Sequence, residues 1–167
     1  VTFGIRHSLL YLIPKYPERE PVWITQATLY TLASSTVAVV LILVAGDLLR
    51  ARTSFDFVAA LQLYVIFYTN LDFIESYWLS KKRTDNVLYY SLSHLVARMA
   101  VVVGAAYITE DAARIVASLV VLECLRCLGV LIYAGWRGWF TTGFDRQSLK
   151  LQGSYFLPLG AGGVVDL

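Results

Sequence analysis

From Val22 to Gly46 the chain runs for 25 residues without a charged side chain. At 1.5 Å per residue this makes a helix of about 37 Å, enough to cross a bilayer with some tilt. Composition agrees: 57% hydrophobic against 16% charged residues is too apolar for an ordinary soluble fold. The chain reads as all-α and embedded in lipid. A net charge of +2, with basic residues in short groups between apolar runs, leaves no footprint for nucleic acid.

Three more apolar runs are long enough to span. They extend from about Phe57 to Leu79, from about Asn86 to Ile108, and from Ala112 to about Gly135. Thr84 or Asp85 can cap the third span, and Thr109-Glu110-Asp111 supplies a cap and acidic residues to the fourth. The expected architecture is a four-helix transmembrane bundle over 22–135, preceded by an N-terminal segment (1–21) and followed by a tail (136–167). Within residues 1–21, the apolar run Ser8 to Ile13 is too short to cross; it reads as an amphipathic segment on the membrane surface or as unstructured chain. Pro14 and the charges after it argue against a cleavable leader. The first part of the tail alternates aromatic and basic residues, as an interfacial segment does, and its glycine-rich end should be irregular.

Basic residues orient such a bundle, because lysine and arginine gather on the cytoplasmic side. Four spans put Arg6, Lys15, Arg19, Lys81, Lys82, Arg83, Arg137, Arg146 and Lys150 on one side, and Arg50, Arg52 and Arg114 on the other. Both termini are therefore expected in the cytoplasm. Trp23, Tyr77, Trp78, Tyr89, Tyr90, Trp136 and Trp139 fall near the same inner boundary, as an aromatic belt would. A prokaryotic plasma membrane is the expected setting; a mitochondrial inner membrane would suit the same composition.

Six ionisable residues remain inside the spans: Asp72, Glu75, His94, Arg98, Glu123 and Arg126. Helical rise places Asp72, His94, Arg98, Glu123 and Arg126 about 11 to 18 Å from the inner ends, in one layer. Asp72/Glu75 and Glu123/Arg126 are spaced i,i+3 and His94/Arg98 i,i+4, so each pair shares a helix face. An unpaired charge at that depth costs about 2.5–3.5 kcal/mol on insertion scales. Mutual pairing is the economical answer: Arg98 with Asp72 or Glu75, and Arg126 with Glu123 or across to the second span. Three carboxylates against two arginines leave one negative charge over, unless His94 is protonated. The layer could fix helix register only, dock another membrane subunit, or relay protons or cations. Against the relay, no Gly/Pro-broken helix of the transporter kind is visible in any span.

Enzymatic chemistry finds no foothold. Cys124-x-x-Cys127 lacks the second, loop-borne cysteine pair that a membrane thiol relay needs, and both thiols read as small buried hydrophobes. One histidine within the spans cannot assemble a haem ligand pair with a facing partner, and Glu-x-x-His pairs for a di-metal centre are missing. No nucleophile elbow, phosphate loop or zinc-helix motif is present. No cofactor and no metal are expected.

Tyr64, Phe67, Tyr68, Asp72, Phe73, Ile74, Glu75 and Tyr77 form an aromatic-rich second span ending in acids. After a short polar turn comes Ala97-Arg98 before Val101-Val102-Val103, then a hydrophobic span behind an acidic loop. This order resembles the PsiE-like (phosphate-starvation-inducible E-like) family of small prokaryotic inner-membrane proteins, over about residues 25–135. The chain departs from that pattern at Glu123, Arg126 and in its longer tail. The resemblance implies a compact four-helix membrane protein and no reaction. Taken together, the sequence leads one to expect a non-enzymatic accessory subunit or homo-oligomer in contact with lipid and other membrane subunits. The competing reading is a small proton or cation channel using Asp72, Glu75 and His94.

Overall fold

A computed structural model describes residues 5–49, 55–70, 73–140 and 145–154. Its regular structure is helical: α1 (Ile5–Lys15), a 3-10 turn (Pro17–Arg19), α2 (Glu20–Leu49), α3 (Phe55–Thr69), α4 (Ile74–Ser80), α5 (Thr84–Ile108) and α6 (Ala112–Trp136). Residues 146–154 form a further short helix, α7. Four stretches are long and apolar enough to cross a membrane: Pro17–Ala45, Phe57–Ser80, Thr84–Ile108 and Ala112–Trp136. They coincide with the four expected spans.

The second crossing is not one continuous helix. It ends at Thr69, turns through Asn70 and Phe73, and resumes at Ile74. The expectation of unbroken spans is corrected here, and neither glycine nor proline causes the break.

In packing, α3 lies along α6, α2 lies on α3, and α5 lies on α6; α4 touches α5 and also carries α1. The pair α3/α6 is thus the middle of the molecule, with α2 and α5 as flanks. No residue of α5 is fully buried, and its Leu92, Leu95, Val96, Met99 and Val103 are exposed. In water such a surface would be untenable; in lipid it is ordinary.

The protein's own core sits at one end. There Leu9, Leu12 and Ile13 of α1 meet Trp23 and Ile24 of α2, Phe73, Ile74 and Tyr77, and Val130, Ala134 and Trp139. The N-terminal run is therefore helical, and its apolar face is covered by protein, mainly α4, rather than left open. For the same reason Trp23, Tyr77 and Trp139 are buried and do not belong to an exposed belt, whereas Tyr89 and Trp136 are exposed.

Helix ends follow local chemistry. Within the expected capping stretch Thr109-Glu110-Asp111, it is Asp111 that caps α6, its Oδ1 accepting from the Ala113 N–H at 2.9 Å. The proposed caps of the third span, Thr84 and Asp85, lie inside α5, and Arg83 at the cap position makes no side-chain bond. At the far end of α6, Gly138 adopts φ +66°, and the N–H of Trp139 reaches back to the Ala134 carbonyl at 3.0 Å while that of Gly138 reaches Gly135. This glycine-terminated cap reverses the chain and lays Trp139 onto Tyr77, with ring centres 4.4 Å apart.

The tail then folds back on the beginning of the chain. Thr25 donates to the Trp139 carbonyl, Gln26 to the Asp145 carbonyl, Arg19 to the Asp145 carboxylate, and Gln152 to Ser8. Residues 145–154 consequently lie against residues 8–26. Asp145 also starts α7, accepting from the Ser148 hydroxyl at 2.7 Å and from the Gln147 N–H at 3.0 Å. These bonds, with Arg19 nearby, hold its carboxyl below the ordinary aspartate range.

Candidate functional site

Among the described residues, the most buried ionisable side chain of the spans is Glu123, at 0% exposure. It stands near the middle of α6, where α3 and α5 both come close, and three basic side chains converge on it. Arg126, one turn further along α6, brings its Nε to 2.7 Å from Oε2. The N–H is not aimed at the oxygen, so charge rather than a linear hydrogen bond holds this pair. On α5, His94 Nε2 lies 3.1 Å from Oε1, and Arg98 Nε lies 3.8 Å from the same oxygen.

Each base has further partners. Arg98 donates through Nη2 to the Tyr64 hydroxyl of α3, and its guanidinium lies 5.2 Å from the centre of the Tyr68 ring, in the range of cation–π attraction. Tyr64 and Tyr68 stack at 5.4 Å, one turn apart, forming the shelf on which the guanidinium rests. His94 stacks on Tyr90 at 6.2 Å.

Arg126 does something the sequence did not announce. Its Nη2 donates to the carbonyls of Phe67, Tyr68 and Asn70 at 2.8, 2.9 and 3.2 Å. Phe67 and Tyr68 lie in the last turn of α3 and Asn70 just past its end, the region where an ending helix runs out of intrahelical N–H donors. Inside hydrocarbon each such orphan would cost several kcal/mol. The Cys127 thiol adds a contact to the Phe67 carbonyl at 3.0 Å, so this cysteine acts as a donor as well as a packing group. Asn70 completes the arrangement, donating through Nδ2 to Ser35 of α2 at 3.0 Å and to the Ile66 carbonyl at 2.8 Å. One guanidinium, neutralised by Glu123, thus closes the broken end of a neighbouring helix.

Of the six residues singled out from the sequence, four come together: His94, Arg98, Glu123 and Arg126. Glu75 does not join them. Its carboxylate accepts from Ser91 of α5 at 2.8 Å. Ser91 precedes Arg98 by two helical turns, about 10 Å along α5, so Glu75 sits at a different level from Arg98. The pairing of Arg98 with Glu75 is replaced by a pairing with Glu123. Asp72 lies outside the described residues. The charge count changes accordingly: among the described residues one carboxylate faces two arginines, an excess of positive rather than negative charge.

Sequence reasoning missed Asn70, Tyr64 and Ser91. Asn70 carried a usable signal, since Thr69-Asn70 is a polar pair in the midst of an apolar run. Ser34, Ser35 and Thr36 of α2 return their hydroxyls to their own helix, to the carbonyls of Thr31 and Leu32; among the described bonds, Ser35 alone of the three also receives one from outside α2, from Asn70.

No family model, curated protein or solved structure matches this chain. Among the described residues, no three His, Cys, Asp or Glu side chains come together as a metal site would require. The functional reading therefore rests on the arrangement itself.

Proposed function

We propose that this chain is a non-catalytic membrane subunit, an accessory or structural component of a larger assembly or of a homo-oligomer, with the Glu123 cluster as its internal clamp. The observation that carries the reading is how Arg126 is used: it is spent on Glu123 and on three carbonyls of the α3 end. A residue so occupied holds helices together and has little left for a substrate. The resemblance to the PsiE-like family, which implies no reaction, leans the same way. On the basis of the lysine and arginine distribution, both termini face the cytoplasm of a prokaryotic cell. Purification in mild detergent, with sizing and identification of whatever accompanies the chain, tests this. A stoichiometric companion or a defined homo-oligomer is the expected result; a monomer that co-purifies with nothing would refute it.

A second reading is favoured by one observation, the break in the second span. Interrupted helices at membrane depth are where transporters bind ions; Glu75 stands in the first turn after this one and His94 is one-fifth exposed, while Asp72 falls between α3 and α4 in sequence and outside the described residues. Under that reading vesicles containing the protein pass protons or another cation, and Asp72→Asn with Arg98 intact abolishes the flux. Tight vesicles with no flux under an imposed gradient would remove it.

A further inference from the structure

Between α4, α5 and α6 lies an open groove of about 350 Å³, lined almost wholly by apolar atoms. Its lining includes Trp78, Tyr90, Tyr133, Leu125, Val130 and Gly129. A Cβ added at Gly129 would meet nothing within 4 Å. The groove reaches from Trp78 and Tyr133, whose rings lie 6.2 Å apart near the ends of α4 and α6, to Arg126.

The charges at the Trp78 and Tyr133 end give the groove its direction. Directly after α4 the chain makes a tight turn, with Lys82 at φ 58° and the N–H of Arg83 returning to the Trp78 carbonyl at 2.9 Å. Lys82 and Arg83 are thereby fastened next to one wall. Directly after α6 comes Arg137, whose Nε donates to the Tyr133 hydroxyl at 3.2 Å, next to the other wall. Lys81 is already matched by Glu20. Among the described residues, Lys82, Arg83 and Arg137 meet no carboxylate in an ion pair. Three cations without a close ion pair, of which Arg137 alone feels the Glu20 carboxylate from further off, thus stand at the membrane-surface end of an apolar groove that runs into the hydrocarbon.

From this combination we infer that the groove is a binding site for an anionic phospholipid. One acyl chain lies along Leu125, Gly129 and Val130, and the phosphate sits between Arg137 and the Lys82-Arg83 turn. A zwitterionic lipid would fill the same groove with its chain but gain less from three cations, so selectivity comes from the headgroup and occupancy from the chain. The inference stands whether or not the chain is an accessory subunit.

The test uses the full chain in vesicles, with phosphatidylglycerol or phosphatidylcholine brominated on one acyl chain as quencher. The Trp78 contribution is isolated by subtracting the signal of Trp78→Phe. Brominated phosphatidylglycerol should quench this contribution at several-fold lower mole fraction than brominated phosphatidylcholine. Replacing Lys82, Arg83 and Arg137 by glutamine should abolish this several-fold difference while leaving the phosphatidylcholine curve in place. Gly129→Leu fills the groove from a position open to it and should weaken quenching by both lipids, with helix content by circular dichroism unchanged. Equal quenching by the two lipids in the unaltered protein, or a preference that survives the triple glutamine variant, would overturn the proposal.

Discussion

Glu123 and Arg126 show how much one ion pair can organise when it is also wired to backbone. Deleting one member of a buried pair strands the other, at a cost of about 3–5 kcal/mol. Glu123→Gln strands two arginines, and its unfolding midpoint in detergent should fall by that order; a loss below about 1 kcal/mol would mean that the cluster does not hold the fold. Arg126→Lys keeps the charge but cannot place one planar fork on a carboxylate and three carbonyls at once, so it should cost about 1–3 kcal/mol. The i,i+3 and i,i+4 spacings made Glu123, Arg126, His94 and Arg98 legible as members of a buried layer. Which acid met which base was not legible, because pairing across helices depends on relative level. Glu75 and Arg98 look adjacent when spans are drawn as straight rods of equal height, and stand apart once Glu75 is bonded to Ser91.

At the scale of elements, the four crossings could be read from apolar length alone, and a cap for α6 could be read within Thr109-Glu110-Asp111, though not which residue supplies it. The interruption between α3 and α4 was invisible to any search for glycine or proline, since its enabling residues are Asn70 and, from another helix, Arg126. Asn70→Ala should therefore destabilise by about 1 kcal/mol, in the range of polar contacts between membrane helices. Combined with Glu123→Gln it should be non-additive, because both act on the end of α3. Asp111→Ala should also cost about 1 kcal/mol. Being at the opposite end of α6 from the core, it should add to Glu123→Gln without coupling. A double-mutant cycle in one detergent distinguishes the two outcomes.

Across the whole molecule, the described tail and the N-terminal segment cover one end of the bundle and each other. An even number of crossings made it legible that the two should lie on the same side; that they touch was not, because bonds such as Gln152 to Ser8 join residues 144 apart and leave no local pattern. Asp145 ties this cover through Arg19 and Ser148, and its carboxyl is held below the usual range. The sign follows: its contribution is complete above the ordinary aspartate value and is lost as pH falls through the lower folded one. Limited proteolysis by an acid-active protease should thus open residues 145–154 only in that acidic range. Asp145→Asn should open them already at neutral pH.

The seat of α1 bears on how the protein is made. Its leucines rest on α4 and its Ser8 on α7, which leave the ribosome some 60 and 140 residues later. The helix synthesised first among those described is therefore the one that must wait, its apolar side in need of shelter, until nearly everything else has been inserted.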